Sequence, residues 1–97
     1  MAGITTHVLD TAKGRPAAGV RITLRFADAV VFQGATDADG RARLLDHPER
    51  GVYRLTFDEP SAFYPEITIV FRVEDDAQHY HIPLLLSPFG YSTYRGS

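Results

Sequence analysis

The stretch GVRITLRF, residues 19–26, sets the pattern for the whole chain. Val20, Ile22, Leu24 and Phe26 alternate with Arg21, Thr23 and Arg25, the period of two that turns one face of a strand to a core and the other to water. The same alternation returns downstream. Ile67, Ile69, Phe71 and Val73 interleave with Thr68, Val70 and Arg72, and Tyr53, Leu55 and Phe57 with Val52, Arg54 and Thr56. Between these runs stand turn signals: Lys13-Gly14-Arg15-Pro16, Asp37-Ala38-Asp39-Gly40, His47-Pro48-Glu49-Arg50-Gly51 and Ser87-Pro88-Phe89-Gly90.

Working outward, the pattern predicts eight strands near residues 4–10, 19–26, 29–35, 41–45, 51–57, 66–73, 79–86 and 91–95. Short strands with such punctuation indicate an all-β protein, an eight-stranded sandwich of two sheets. The one helical candidate is a turn at Pro60–Phe63, with Asp58 or Ser61 as its cap. TDADGR, residues 36–41, reads as a hairpin turn, since it lacks the full ligand spacing of a calcium loop.

Residues 1–97 read as one domain, with a modest core that oligomerisation would help. The chain is 44% hydrophobic and 23% charged with a net charge of -2, and its ten Lys and Arg residues are dispersed, which argues against a nucleic-acid partner. No apolar run approaches the roughly 20 residues of a membrane helix. The opening MAGITTHVLD lacks the basic start and apolar middle of a secretory signal. Zero cysteines exclude disulfides, thiolate metal sites and a cysteine nucleophile. A cytoplasmic protein is the expectation.

The first and last strands depart from the half-wet rule. In residues 4–10, Ile4, Thr6 and Val8 share one face while Thr5, His7 and Leu9 share the other; in 79–86, Ile82 and Leu84 oppose His81, Pro83 and Leu85. A strand apolar on both sides needs cover on both, and a single sandwich covers one face of each sheet. The pattern therefore predicts a sheet whose outer face packs on another subunit, with His7 and His81 on that face.

HVLDTAKGRPAAGVRI (7–22) and YHIPLLLSPFGYS (80–92) resemble the two signature segments of the transthyretin family, and the closing YSTYRGS (91–97) resembles its enzyme branch, the 5-hydroxyisourate hydrolases. The resemblance implies an eight-stranded transthyretin-type sandwich assembled as a homotetramer, a dimer of dimers whose central channel is lined by the first and last strands. It also implies a small-molecule substrate, 5-hydroxyisourate, whose six-membered ring opens to 2-oxo-4-hydroxy-4-carboxy-5-ureidoimidazoline in urate breakdown, with no cofactor. Positions that separate hydrolases from hormone carriers carry the hydrolase residues here: His7, Arg41, His81 and the ending Tyr94 to Ser97. The chain is shorter than the family pattern between Phe26 and Gly34 and between Phe57 and Glu66, away from these residues.

The chemistry such a ring opening needs fits these residue types. An imidazole exchanges protons near neutral pH, and a guanidinium offers permanent charge and paired donors to a flat imide or anion. The implied catalytic set is His7, Arg41 and His81, with either histidine as the base toward water. Tyr94 and Ser97 join His7 and Arg41 in binding substrate.

Read without the resemblance, each residue has a plainer explanation. His7 is then a surface strand histidine, Arg41 a residue leaving a turn, Tyr91 and Tyr94 good strand formers, His47 a loop residue and His79 a strand-opening residue. A His79/His81 zinc pair lacks a third ligand at recognisable spacing. Two other function classes stay open: a transthyretin-like carrier of a small aromatic ligand without turnover, and a sandwich module for adhesion or assembly that predicts a monomer indifferent to replacement of His7, Arg41 or His81.

Overall fold

The computed structural model describes residues 2–96. Its strands are β1 (Gly3–Asp10), β2 (Arg15–Pro16), β3 (Arg21–Phe26), β4 (Ala29–Ala35), β5 (Arg41–Leu45), β6 (Gly51–Asp58), β7 (Glu66–Val73), β8 (His79–Ser87) and β9 (Gly90–Thr93). Two sheets result. One runs β4-β3-β6-β7, entirely antiparallel; the other runs β5-β1-β8-β9, with β2 continuing the β5 edge of β1. Within the second sheet β1 and β8 are parallel, from Gly3 opposite His79 to Asp10 opposite Leu86.

Alternation fills the space between the sheets. Ile22, Leu24, Tyr53, Leu55, Phe57 and Ile67 from one sheet meet Ile4, Val8, Ile82, Leu84 and Leu86 from the other, all buried. Tyr53 enters with its ring stacked between Phe26 and Phe71, and its hydroxyl donates to the Glu49 carbonyl, so the polar end is satisfied inside the core. Thr6 and Thr36 are buried with their hydroxyls bound to backbone: Thr6 donates to the Ile82 carbonyl, and Thr36 donates to Ala17 and accepts from Val20.

The two-sheet sandwich and the eight expected strands are present, with four differences. The ninth strand, β2, is a two-residue pairing inside a segment read only as a turn; Arg15 and Pro16 fold back on Asp10 and Leu9. No helix occurs among the described residues, and 61–63 forms bends. Ser61 does accept a hydrogen bond from the Tyr64 amide, but Pro60 and Pro65 bracket the segment and the Glu59 amide donates to the Pro65 carbonyl, closing it as a loop.

The third difference is at residues 36–41. The turn is tight, with the Asp37 carboxylate accepting from the amides of Asp39 and Arg41, yet the strands it joins, β4 and β5, lie in different sheets. It is a crossover and not a hairpin. Gly40 (φ 73) makes it possible: a Cβ there would stand 2.5 Å from the Val8 carbonyl oxygen, while the Gly40 carbonyl accepts from the Val8 amide. The turn is thereby fastened to the middle of β1.

The fourth concerns the closing strand, expected over 91–95. β9 ends at Thr93 because its next partner is Pro83, which has no N–H to continue the ladder. Thr93 instead donates its hydroxyl to the Pro83 carbonyl, and pairing resumes at Gly96 opposite His81 in the register that Leu84 and Thr93 began. In the other shortened region, Ala27 and Asp28 alone connect β3 to β4, both at positive φ (51 and 64) as a type I′ turn requires.

Candidate active site

The register of the second sheet arranges its outer face in rows. One row runs Arg41, His7, Pro83, with Tyr94 placed opposite Pro83 by the continued register. The next runs Arg43, Thr5, His81, Gly96. His79 opens β8 one step beyond, on the same face. Three residues widely separated in sequence, His7, Arg41 and His81, are thus brought to neighbouring positions by backbone pairing alone.

A groove of about 430 Å³ lies on this face, lined by Thr5, Asp37, Arg41, Arg43, His79 and His81 among others; His7, beside Arg41 in the ladder, borders it without lining it. A larger groove of about 600 Å³, lined by Asp10, Lys13, Arg15, Arg21, Asp58 and Glu59 among others, lies elsewhere and holds none of the histidines. The smaller one, which holds Arg41, His79 and His81, is the candidate site. Its cations outnumber its anions: Asp37 is the carboxylate there, and its oxygen is already engaged by backbone amides. The hydrogen bond from the Arg41 amide, with further help from the Asp39 amide and the charges of Arg41 and His7, holds Asp37 below the usual carboxylate range despite some desolvation.

Each imidazole has a defined partner. His7 Nε2 lies 2.9 Å from the Asp39 carbonyl oxygen. A carbonyl only accepts, so this nitrogen carries a proton and Nδ1 is the one left to act as a base. His81 Nδ1 lies 2.8 Å from the Thr5 hydroxyl, and His79 Nε2 lies 2.8 Å from the same oxygen. Burial, foremost, and then the charges of His7, His79 and Arg41 push His81 below the ordinary imidazole pKa, so it is neutral at pH 7.

The C-terminal segment closes one side. Arg95 donates to the Gln78 side-chain oxygen at 2.8 Å and to the His79 carbonyl at 3.3 Å, with its guanidinium 4.3 Å above the Tyr80 ring. The Gly96 amide then donates to the His81 carbonyl at 2.8 Å, and its Cα side faces the imidazole so closely that a Cβ would come within 2.5 Å of His81 Cδ2. Tyr94 stays exposed beyond the end of β9. Ser97 lies outside the described residues.

Of the residues singled out in the sequence, His7, Arg41, His81 and Tyr94 fall in two adjacent rows. Arg43 is absent from the sequence reading; Thr5 is placed there on the His7 face without a role, Gly96 enters only as part of the ending Tyr94 to Ser97, and His79 as a strand opener or half of an incomplete zinc pair. The parity that placed His7 and His81 on one face also placed Thr5 and His79 there, so a signal existed. Arg43 is drawn toward Asp46, which takes a hydrogen bond from its Nε.

The profile of the HIUase/Transthyretin family matches residues 4–96. A 5-hydroxyisourate hydrolase of Caulobacter vibrioides is 44% identical, with the whole of each chain covered. The uric acid degradation bifunctional protein TTL of Arabidopsis thaliana is 41% identical over 97% of this chain, which spans only 37% of that longer protein. Among solved structures, the 5-hydroxyisourate hydrolase of Klebsiella pneumoniae superposes with a TM-score of 0.85 at 31% identity, covering all of both chains. Sea bream transthyretin in complex with thyroxine also gives 0.85 at 31% identity, covering 97% of this chain and 94% of that one. Profile, full-length relatives and fold agree, and the chain belongs to the HIUase/transthyretin family.

Proposed function

We infer that this protein is an enzyme, a hydrolase that opens the six-membered ring of 5-hydroxyisourate in urate degradation. What supports the reading over a carrier of the thyroxine-binding kind is the full-length similarity to proteins named 5-hydroxyisourate hydrolase. The single structural observation that carries it is the convergence of His7, Arg41 and His81 on adjoining rows of one sheet face. A groove for a hormone needs no proton-exchanging pair beside a guanidinium.

In this reading His7, Arg41 and His81 are catalytic. His7, its Nε2 proton committed to Asp39, takes a proton from water at Nδ1. The hydroxide adds to the ring carbonyl, the ring C–N bond breaks, and the proton goes to the departing nitrogen, leaving a carboxylate. Arg41 binds the carbonyl side of the flat ring and steadies the charge that grows on its oxygen. His81, neutral at pH 7, meets the substrate beside Arg41. Tyr94 and Ser97, the latter outside the described residues, join His7 and Arg41 in binding substrate.

The outer face that carries the site also presents Leu9 and Leu85, half-buried on the strands that bear His7 and His81. A second copy would cover them, so the active form proposed is the homotetramer, a dimer of dimers with sites in the channel between dimers. Residues 1–97 serve as one catalytic domain, and the cysteine-free composition suits the cytoplasm. No helix of the described residues is long and apolar enough to cross a membrane.

The test is direct. 5-Hydroxyisourate generated from urate in the cuvette is followed by its ultraviolet decay, with and without the protein, beside His81→Ala. Acceleration lost in the variant supports the hydrolase; an unaccelerated decay with the folded wild type, together with tight binding of a small aromatic ligand, would favour the carrier.

A further inference from the structure

The Thr5 hydroxyl sits between two imidazoles, 2.8 Å from His79 Nε2 and 2.8 Å from His81 Nδ1. A hydroxyl has one proton to give and lone pairs with which to accept. It can therefore serve only one bare ring nitrogen at a time. If His81 Nδ1 is bare and receives the hydroxyl proton, His79 Nε2 must carry a proton to stay bonded, and the reverse also holds. The arrangement is held from both sides: Thr5 is register partner to His81 on β8 and to Arg43 on β5, and a β-branched side chain has few χ1 choices.

We propose that Thr5 is a positioning residue of the reaction, coupling the ring protons of His79 and His81 through its single hydroxyl proton. The consequence is directional. When His79 gains its second proton its Nε2 can only donate, the Thr5 proton turns to His81 Nδ1, and the remaining proton of His81 is fixed on Nε2. A protonation event at His79, a groove residue outside the proposed catalytic set, thereby selects the tautomer of His81.

The groups facing this pair are known. His7 approaches from β1, Arg41 and Arg43 from β5, Asp37 from the turn before β5, and Arg95 crosses the start of β8. No carboxylate among the described residues hydrogen-bonds to either ring of the pair, so the hydroxyl is the partner through which the two communicate.

The role in turnover rests on the hydrolase reading; the coupling of tautomers does not. The experiment therefore reads both, on full-length wild type, Thr5→Val and Thr5→Ser. Long-range proton–nitrogen NMR of the imidazoles is recorded from about pH 5 to 8, the span in which histidines change charge. While His81 is still neutral, its nitrogen signals in wild type and Thr5→Ser show the ring proton settling on Nε2 as pH falls; in Thr5→Val the tautomer balance stays fixed. In the same preparations Thr5→Val lowers kcat by about 10- to 100-fold with KM within about threefold, and Thr5→Ser restores kcat to within about threefold of wild type, the scale of a mispositioned acid–base group. Backbone amide spectra confirm that Thr5→Val is folded. A His81 tautomer balance that does not move with pH in wild type, or full kcat in folded Thr5→Val, would overturn the proposal. Wild type that shows the coupling but no turnover would overturn the role in catalysis by removing the reaction itself, leaving the tautomer link standing.

Discussion

Arg41 stands directly opposite His7 across the β1–β5 ladder, the first residue of one strand against the middle of the other. The pairing is fastened by the turn that precedes it, where Gly40 and Asp37 bind β1 and the Arg41 amide respectively. The Arg41 backbone is thus anchored, while its exposed side chain lines the groove.

Replacing Arg41 tests that anchoring. Arg41→Ala is expected to lower kcat/KM for 5-hydroxyisourate by about 10²- to 10³-fold, the scale of one lost oxyanion donor. Arg41→Lys recovers only part of this, since an ammonium keeps the charge without the paired donor geometry. Thermal stability should be unchanged in both, because the side chain is exposed. Equal activity of the Lys variant and wild type would mean that charge alone suffices.

Gly96→Ala asks whether the tail must lie against His81. The added methyl would meet the ring 2.5 Å from Cδ2, so either the tail lifts or the imidazole turns. A fall in kcat of at least tenfold is expected, with a melting temperature within about 2 °C of wild type, since little core is disturbed. Steady-state kinetics and a thermal melt decide it.

His81 also gives stability a pH dependence. Its pKa is depressed in the folded protein, chiefly by burial, below the value near 6.5 of the unfolded chain. The unfolded state therefore binds more protons between the two values. The contribution is fully present above about pH 6.5 and is lost as pH falls through the folded pKa. His81→Gln should accordingly lose less melting temperature than wild type between about pH 7.5 and 5.5. An identical fall in both proteins would rule out His81 as a source.

The β3–β4 turn offers a stabilising change remote from the site. Ala27 and Asp28 hold φ of 51 and 64, where residues with a Cβ pay roughly 1 kcal/mol or more. Ala27→Asn with Asp28→Gly, the residues a type I′ turn prefers, should raise the melting temperature by about 4–8 °C for each 1 kcal/mol gained. kcat should not move.

Much of this was legible in the sequence because alternation is a local signal. Val20 to Phe26 or Ile67 to Val73 show their buried face without knowledge of their neighbours, and strand parity put His7 and His81 on the same face. What could not be read was pairing. Arg15 and Pro16 look like a turn until Leu9 and Asp10 are seen beside them. TDADGR has hairpin chemistry, yet only topology reveals that its two strands belong to different sheets. Thr5 is an unremarkable strand threonine until β8 aligns His81 with it, and Gly96 is a tail glycine until the ladder skips Pro83 and resumes. That His7, Arg41 and His81 come together was legible in part; the residues that hold them in place depended on register.

The parallel pairing of β1 with β8 has a consequence for biosynthesis. Its partners, Gly3 with His79 through Asp10 with Leu86, are separated by most of the chain, so closing that loop is among the slowest and most entropically demanding steps of folding. A nascent chain emerging from the ribosome can complete β4-β3-β6-β7 while β8 is still unmade, but β1 must wait. The candidate groove cannot form in a product that stops short of β8, which supplies His79 and His81. The candidate site is therefore a late product of synthesis, and a chain interrupted before β8 contributes a sheet without it.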